Sequence, residues 1–372
     1  MADSESEHAH LKFALALHRE LAAPEADTCF SPYSAAVALS LVAKGARGET
    51  AAELSGLLAN PSAPADVQDQ LLRDAATLRA PSASEEAPEL AVANTLWAWD
   101  QLQIEEGFRE ELRSWNGGLV RSAPFGDDPE AARTLINEAV SETTRELIPE
   151  LLLPGSVTPD TVAALVNALY LRTGWSFPFQ DSETVDTGFH APGGLRQVPT
   201  MHQSERFLYA ATQGWQLVGL PAAGGVQALV LLPDGDLAEY ESSLDAETVL
   251  ELMSGARETM VHLALPRVSA DVRTDLTSVL RALGVRRMFD PEADLGGLSA
   301  DPRLLVSDVV HQAVLRLDEQ GLEGAAATAV MMRLVMMPAG DPVTVRVDRP
   351  FLLLVRHADT GAIYFLARVV RP

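Results

Sequence analysis

The segment from Asp318 to Met337 constrains the fold more than any other part of the chain, because it is patterned as a strand that needs an existing sheet to join. Side chains alternate between the two faces of a strand. Leu322, Gly324, Ala326, Thr328, Val330, Met332 and Leu334 share one parity and carry no charge, whereas Glu323 and Arg333 fall on the other. The uncharged set begins small and ends large, so a segment entering a sheet end-first would meet steric resistance only late. Gly321 and Gly324 loosen the entry. Ala, Met, Leu and Arg are also strong helix formers, so in isolation Ala325 to Met337 reads equally well as a buried helix. The rest of the chain has to decide.

At 372 residues, 47% hydrophobic and 22% charged, the composition fits one globular domain with a large core. No apolar run reaches the ~18 residues of a transmembrane helix. The formal net charge of -24 argues against nucleic acid as a partner, since phosphate contacts need clustered Lys and Arg. Its simplest consequence is solubility. Lys12 and Lys44 are the only lysines. A lone Cys29 permits no internal disulfide. Residues Met1 to Glu7 are acidic and lack the basic and apolar regions of a secretory signal, so a cytoplasmic location is expected, although a secreted chain trimmed of its leader would read the same.

Helical patterning runs over His10 to Ala22, Pro32 to Ala43 after a Ser31 cap and an early proline, Thr50 to Leu58, Val67 to Leu78, and Asp128 to Leu147. Strand-like runs follow at Thr161 to Arg172, Gln216 to Leu220, Gln227 to Leu232, Thr259 to Leu265, Val343 to Val347, Phe351 to His357 and Ala362 to Val370. Helices early and strands late, without strict alternation, predict an α+β fold. The Pro- and Ser-rich patch from Ala80 to Pro88 reads as a loop.

An enzyme finds little support. The chain has no Gly-x-Ser-x-Gly elbow, His-Glu-x-x-His site, phosphate loop or dinucleotide glycine pattern. Its eight histidines lack ligand spacing, so no metal and no cofactor are expected.

Several separated segments together resemble the serpins, from roughly Glu7 to Val370. Cys29-Phe30-Ser31-Pro32-Tyr33-Ser34, followed by Ala35 to Gly45 and Gly48-Glu49-Thr50, is similar to the family's Phe-Ser-Pro helix and the turn after it. Val166-Asn167-Ala168-Leu169-Tyr170, with Gly174-Trp175, Phe177 and Phe179, resembles a central strand and its aromatic corner. Leu265-Pro266-Arg267, Asp275-Leu276, Leu283-Gly284 and Phe289 resemble another family block. Val310-His311-Gln312-Ala313-Val314 and Val347-Asp348-Arg349-Pro350-Phe351 resemble the blocks on either side of the reactive-centre loop.

The resemblance implies a single serpin domain over residues 7–371, with a large central sheet, further sheets, about eight to nine helices and an exposed reactive-centre loop at 321–342. It implies a monomeric, irreversible inhibitor that forms a covalent 1:1 complex with a target serine protease and inserts the cut loop into the sheet. Counting in the family's manner from Glu319 places the reactive bond at Val335 and Met336, with Arg333, Leu334 and Met337 as alternatives. Small Val335 suits an elastase-like or subtilisin-like pocket. The hinge is Glu319, Gly321, Leu322, Glu323, Gly324, Ala325, Ala326, Ala327 and Thr328. Leu322 stands where the family has Thr or Ser, and Gly324 where it has Ala. A polar group under the sheet, the shutter, maps onto Ser31, Ser34, Asn167 and His311. The point of loop entry, the breach, maps onto Trp175, Arg267 and Glu319, with an Arg267 to Glu319 ion pair expected to hold the hinge. The basic helix by which some members bind heparin has no counterpart, because Asp66 to Pro88 sets only Arg73 and Arg79 against Asp66, Asp69, Asp74, Glu85 and Glu86. A non-inhibitory carrier or chaperone is the other reading; the small, mostly Ala and Gly hinge favours inhibition.

Overall fold

The computed structural model describes residues 4–59, 67–80, 87–113, 115, 118–301, 303–322 and 342–372. Among them the helices are α1 (Ser4–Leu21), α2 (Pro32–Gly45), α3 (Gly48–Leu58), α4 (Asp69–Ala75), α5 (Glu106–Arg113), α6 (Pro129–Thr143), α7 (Leu237–Glu241), α8 (Ala246–Gly255) and α9 (Leu276–Ala282). The strands are β1 (Thr28–Phe30), β2 (Glu89–Trp99), β3 (Gly118–Ala123), β4 (Ala163–Gly174), β5 (Val185–Ala191), β6 (Gly194–Thr212), β7 (Trp215–Ala222), β8 (Val226–Pro233), β9 (Arg257–Pro266), β10 (Val268–Asp275), β11 (Asp308–Leu317), β12 (Gly321–Leu322), β13 (Val343–Arg346), β14 (Phe351–His357) and β15 (Ile363–Val369).

They form two sheets in one α+β domain. One runs β1-β15-β14-β8-β7-β6-β9-β13, with β5 attached to β6; the other runs β10-β11-β12-β4-β2-β3. The apolar runs of β14 and β15 each have a strand on both sides in the first sheet, and every residue of β15 is buried. Continuous apolar runs, without alternation, are what a strand covered on both faces requires.

α2 is the helix that ties the sheets together, touching β2, β4 and β15. Ser31 caps it by accepting a hydrogen bond from the Ser34 amide, and Pro32 opens its first turn. Nearly all of it is buried. A helix apolar all round has no solvent face to offer and belongs in a core.

The second sheet has a fork. β11 and β4 pair directly and in parallel from Asp308↔Ala164 to Ala313↔Leu169. Beyond that stretch β12 lies between them, with Leu322 opposite Leu317 on β11 and Thr173 on β4. Admitting a strand there widens the separation of β11 and β4 from one strand spacing to two, about 4.8 to about 9.6 Å. The expectation of an exposed loop from residue 321 is therefore corrected at its start: Gly321 and Leu322 are already strand, and Leu322 is 1% exposed. A leucine with an open slot in a sheet loses more by staying in water than it does by ordering.

The division into early helices and late strands is also corrected. β2 falls in the first half, and α7, α8 and α9 fall in the second. Each of these three short helices has an aspartate N-cap, Asp236, Asp245 and Asp275, whose side chain accepts a backbone N–H.

Candidate functional site

A row of polar side chains crosses the second sheet just below the fork. Asn94 on β2 is registered opposite Asn167 on β4, and Asn167 opposite His311 on β11. All three are fully buried, as is Ser34, with Ser31 1% exposed. Directly opposite residues share a face, so the three side chains point together toward the start of α2.

The row is hydrogen-bonded end to end. The Ser31 amide donates to Nε2 of His311 at 2.9 Å. Nε2 is therefore unprotonated, and the neutral ring carries its proton on Nδ1. That proton is donated to Oδ1 of Asn167, 2.6 Å away. Asn167 donates through Nδ2 to Oδ1 of Asn94, which also accepts from the Ser34 hydroxyl at 3.1 Å. Burial pushes the His311 imidazole down to about 4. Nδ2 of Asn94 is left without a partner.

The second group closes over the entry of β12. Glu319 is 3% exposed, and its carboxylate accepts from Nε and an Nη of Arg267 at 2.7 to 3.0 Å and from the Thr184 hydroxyl at 2.5 Å. Burial alone would raise this carboxyl, but the bonds from Arg267 and Thr184 outweigh it and hold it below its ordinary value. Trp175 donates its indole N–H to the Asp318 carbonyl at 2.8 Å and its amide to the Gln320 carbonyl at 2.9 Å. The Asp318 carboxylate accepts from the Gln320 and Gly321 amides. Gly321 is held so close to β4 that a Cβ would stand 2.1 Å from the Thr173 carbonyl oxygen.

The structure brings Ser31, Ser34, Asn167 and His311 together in one cluster and Trp175, Arg267 and Glu319 in another. Asn94 and Thr184 were missed. The signal for Asn94 was present, since an asparagine within the apolar run of β2 is out of place in a strand unless its side chain is bonded. Glu323, Gly324, Ala325, Ala326, Ala327 and Thr328 of the hinge, and Arg333, Leu334, Val335, Met336 and Met337 around the reactive bond, lie outside the described residues. No group of three metal-ligating side chains occurs among the described residues.

Comparison with known proteins places the chain beside one family. The family model described as "Serpin (serine protease inhibitor)" matches residues 8–372. An uncharacterized serpin-like protein of Thermococcus kodakarensis is 31% identical over 363 residues, covering 97% of this chain and 84% of that one. Serpin A3-1 of Bos taurus is 33% identical over 370 residues, covering 97% and 87%. Among solved structures, human thyroxine-binding globulin complexed with thyroxine superposes with a TM-score of 0.86 at 26% identity, covering 99% of this chain and 98% of that one. Uncleaved ovalbumin gives 0.85 at 26% identity, covering 99% and 100%. The thermophilic serpin tengpin in its native state gives 0.87 at 22% identity, covering 100% and 95%, a likeness of fold.

Proposed function

The chain belongs to the serpin family, whose members are generally protease inhibitors, and from that premise we propose that it inhibits serine proteases irreversibly by inserting its cut loop at the fork between β4 and β11. One observation carries this reading: β12 is already an antiparallel strand bonded on both sides, so the register of any further insertion is fixed before insertion begins.

Continuing that register, each residue added to β12 moves one place back along β4 from Thr173 and one place back along β11 from Leu317. The sixth residue on, Thr328, arrives opposite both Asn167 and His311. To get there the parallel pairing of Asp308–Ala313 with Ala164–Leu169 must part, and the His311 to Asn167 bond with it. A threonine hydroxyl both donates and accepts, so Thr328 can accept from Nδ1 of His311 and donate to Oδ1 of Asn167. The seam therefore opens without leaving buried polar groups unpaired, which would otherwise cost about 1–3 kcal/mol each. Leu322 is already seated in the slot, and Gly324 and Ala326, which follow it on the same parity before Thr328, demand little space.

The protease supplies the chemistry. Its serine attacks the bond after Val335 and forms an acyl-enzyme; insertion of the freed strand then carries the tethered protease along and prevents deacylation. The intact fold is the less stable of the two forms and persists because the seam of β11 and β4 is a kinetic barrier. Glu319, clamped by Arg267 and Thr184, holds the fixed end from which the strand grows.

Incubation with elastase, subtilisin, chymotrypsin and trypsin tests the reading. A 1:1 complex stable in SDS is expected with an elastase-like or subtilisin-like enzyme, with the mass of the denatured C-terminal fragment marking a cut after Val335. A cut after Arg333 would indicate a trypsin-like target, and one after Met336 a chymotrypsin-like target. Clean cleavage without complex across the panel would leave the carrier reading.

A further inference from the structure

An open cleft of about 920 Å³ lies between residues 176–180 and the outer face of β6, β9 and β13, and both Gln320 and Thr344 line it. These two residues flank the loop in sequence. A protease seated on the loop sits beside the cleft.

The sheet register gives the cleft its shape. His202 on β6 and Arg346 on β13 are both registered against Ala264 on β9, and Ser204 and Thr344 are both registered against His262. Adjacent strands are about 4.8 Å apart, so His202 and Arg346 stand about 10 Å apart with only the Ala264 methyl between them. The result is a notch walled by a histidine and an arginine, with His262 on its diagonal. Nε2 of His202 is buried and has no hydrogen-bond partner. The Arg346 guanidinium has no ion-pair or hydrogen-bond partner among the described residues. His262 is engaged through Nδ1 with the Ser204 hydroxyl at 2.6 Å. Of the acids lining the cleft, Glu205 accepts from the Arg206 amide, and Glu183 comes from the facing side.

We propose that this notch receives a carboxylate side chain from the surface of the target protease, as a second contact beside the reactive bond. The inference rests on the inhibitory reading of the loop. A carboxylate about 2.8 Å from the Arg346 guanidinium makes a charge-assisted pair, and it has room between walls about 10 Å apart. A net charge of -24 repels acidic groups from the protein as a whole, so an unpaired cation in the notch gives an acidic group of the protease a distinct place to meet, which orients the encounter.

The test is the second-order rate of complex formation with whichever enzyme of the panel the unaltered protein inhibits fastest. Arg346→Glu should slow it about tenfold at low ionic strength, with the difference shrinking as salt is added and with the number of inhibitor molecules consumed per protease unchanged. Arg113→Glu on α5 makes the same change in net charge elsewhere and should stay within about twofold. Arg346→Gln should give an intermediate rate, and serves in place of Arg346→Glu if that variant melts lower. Equal effects of Arg346→Glu and Arg113→Glu, no effect of either Arg346 variant, or a rise in inhibitor consumed in place of a slower rate would each overturn the notch while leaving inhibition standing. Absence of complex with every enzyme in the unaltered protein would remove the inhibitory reading itself, and the notch with it.

Discussion

His311 and Asn167 sit opposite each other on adjacent parallel strands, joined by a 2.6 Å hydrogen bond from Nδ1 to Oδ1 at the seam that the proposed loop insertion would have to open. Nε2 of the same ring accepts from the Ser31 amide, which only the neutral ring can do, so protonation would turn that acceptor into a second donor facing an N–H. The strength of the seam is therefore tied to proton concentration.

Burial lowers His311 to about 4, and His10, bonded to Gln68 and the Ile363 amide, to about 4 as well. Between an unfolded value near 6.5 and these folded values the unfolded chain binds the additional protons. Stability present in full above pH 6.5 is thus lost as pH falls toward 4 and changes no further below it. Each histidine accounts for roughly 3 kcal/mol of that loss. Unfolding rates measured from pH 7.5 to 4 should rise steeply on acidification, and His311→Gln should remove about half of the rise. An identical slope in the variant would show that His311 does not govern the seam.

The ion pair at the fork is asymmetric, with the Glu319 side chain 4% exposed and that of Arg267 47% exposed. Arg267→Ala strands a buried carboxylate with Thr184 alone, whereas Glu319→Gln leaves a guanidinium that water can solvate. The first should destabilise by about 2–3 kcal/mol and the second by about 1, the usual figure for a broken buried pair being reduced for the exposed partner. Glu319 is held below its ordinary value, so this stability is present above about pH 4.5 and lost as pH falls through the folded value. Denaturant midpoints at pH 7 decide the order; Glu319→Gln as the worse variant would contradict it.

Gly321→Ala tests whether β12 is seated as described. The new methyl would meet backbone of Thr173 and Gly174, which cannot rotate aside. The strand should leave its slot and expose Leu322, seen as faster hydrogen exchange over residues 318–322 and a red shift from Trp175, whose indole and amide bond to Asp318 and Gln320. Unchanged exchange would mean that β4 yields instead.

The parts of this fold legible in the sequence are those with one dominant period or a strong cap. α2, with Ser31, Pro32 and an apolar body, is read correctly to within two residues at its end, and β14 is read without error. β1, β2, β3, β5, β6, β10 and β11 were not assigned as strands; β6 shows why a long strand hides, because it passes from an exposed hairpin with β5 to pairing with β9 and β7 and so mixes periods. Of the site, Ser31, Ser34, Asn167 and His311 were grouped through the family resemblance alone, without their hydrogen-bond order. The row they form depends on strands far apart in sequence coming into register, which no local pattern records. Asn94 completes that row; its place in an apolar run marks it, but its bonds to Asn167 and Ser34 depend on that register. The two hinge residues inside the sheet were hidden because a glycine and a leucine at a strand end look the same in a slot as in a loop.

Thr328 provides the most direct test of insertion. By the register of β12 it arrives between Asn167 and His311, whereas Glu323 falls on the opposite parity. Thr328→Arg would bring an unpaired charge into the buried row, at a cost of several kcal/mol borne only by the inserted form. Glu323→Arg places the same side chain on the other face. The measurement is the number of inhibitor molecules consumed for each protease molecule inactivated. The account predicts a large rise for Thr328→Arg, which becomes a substrate, and little change for Glu323→Arg; equal values for the two variants would contradict insertion in this register.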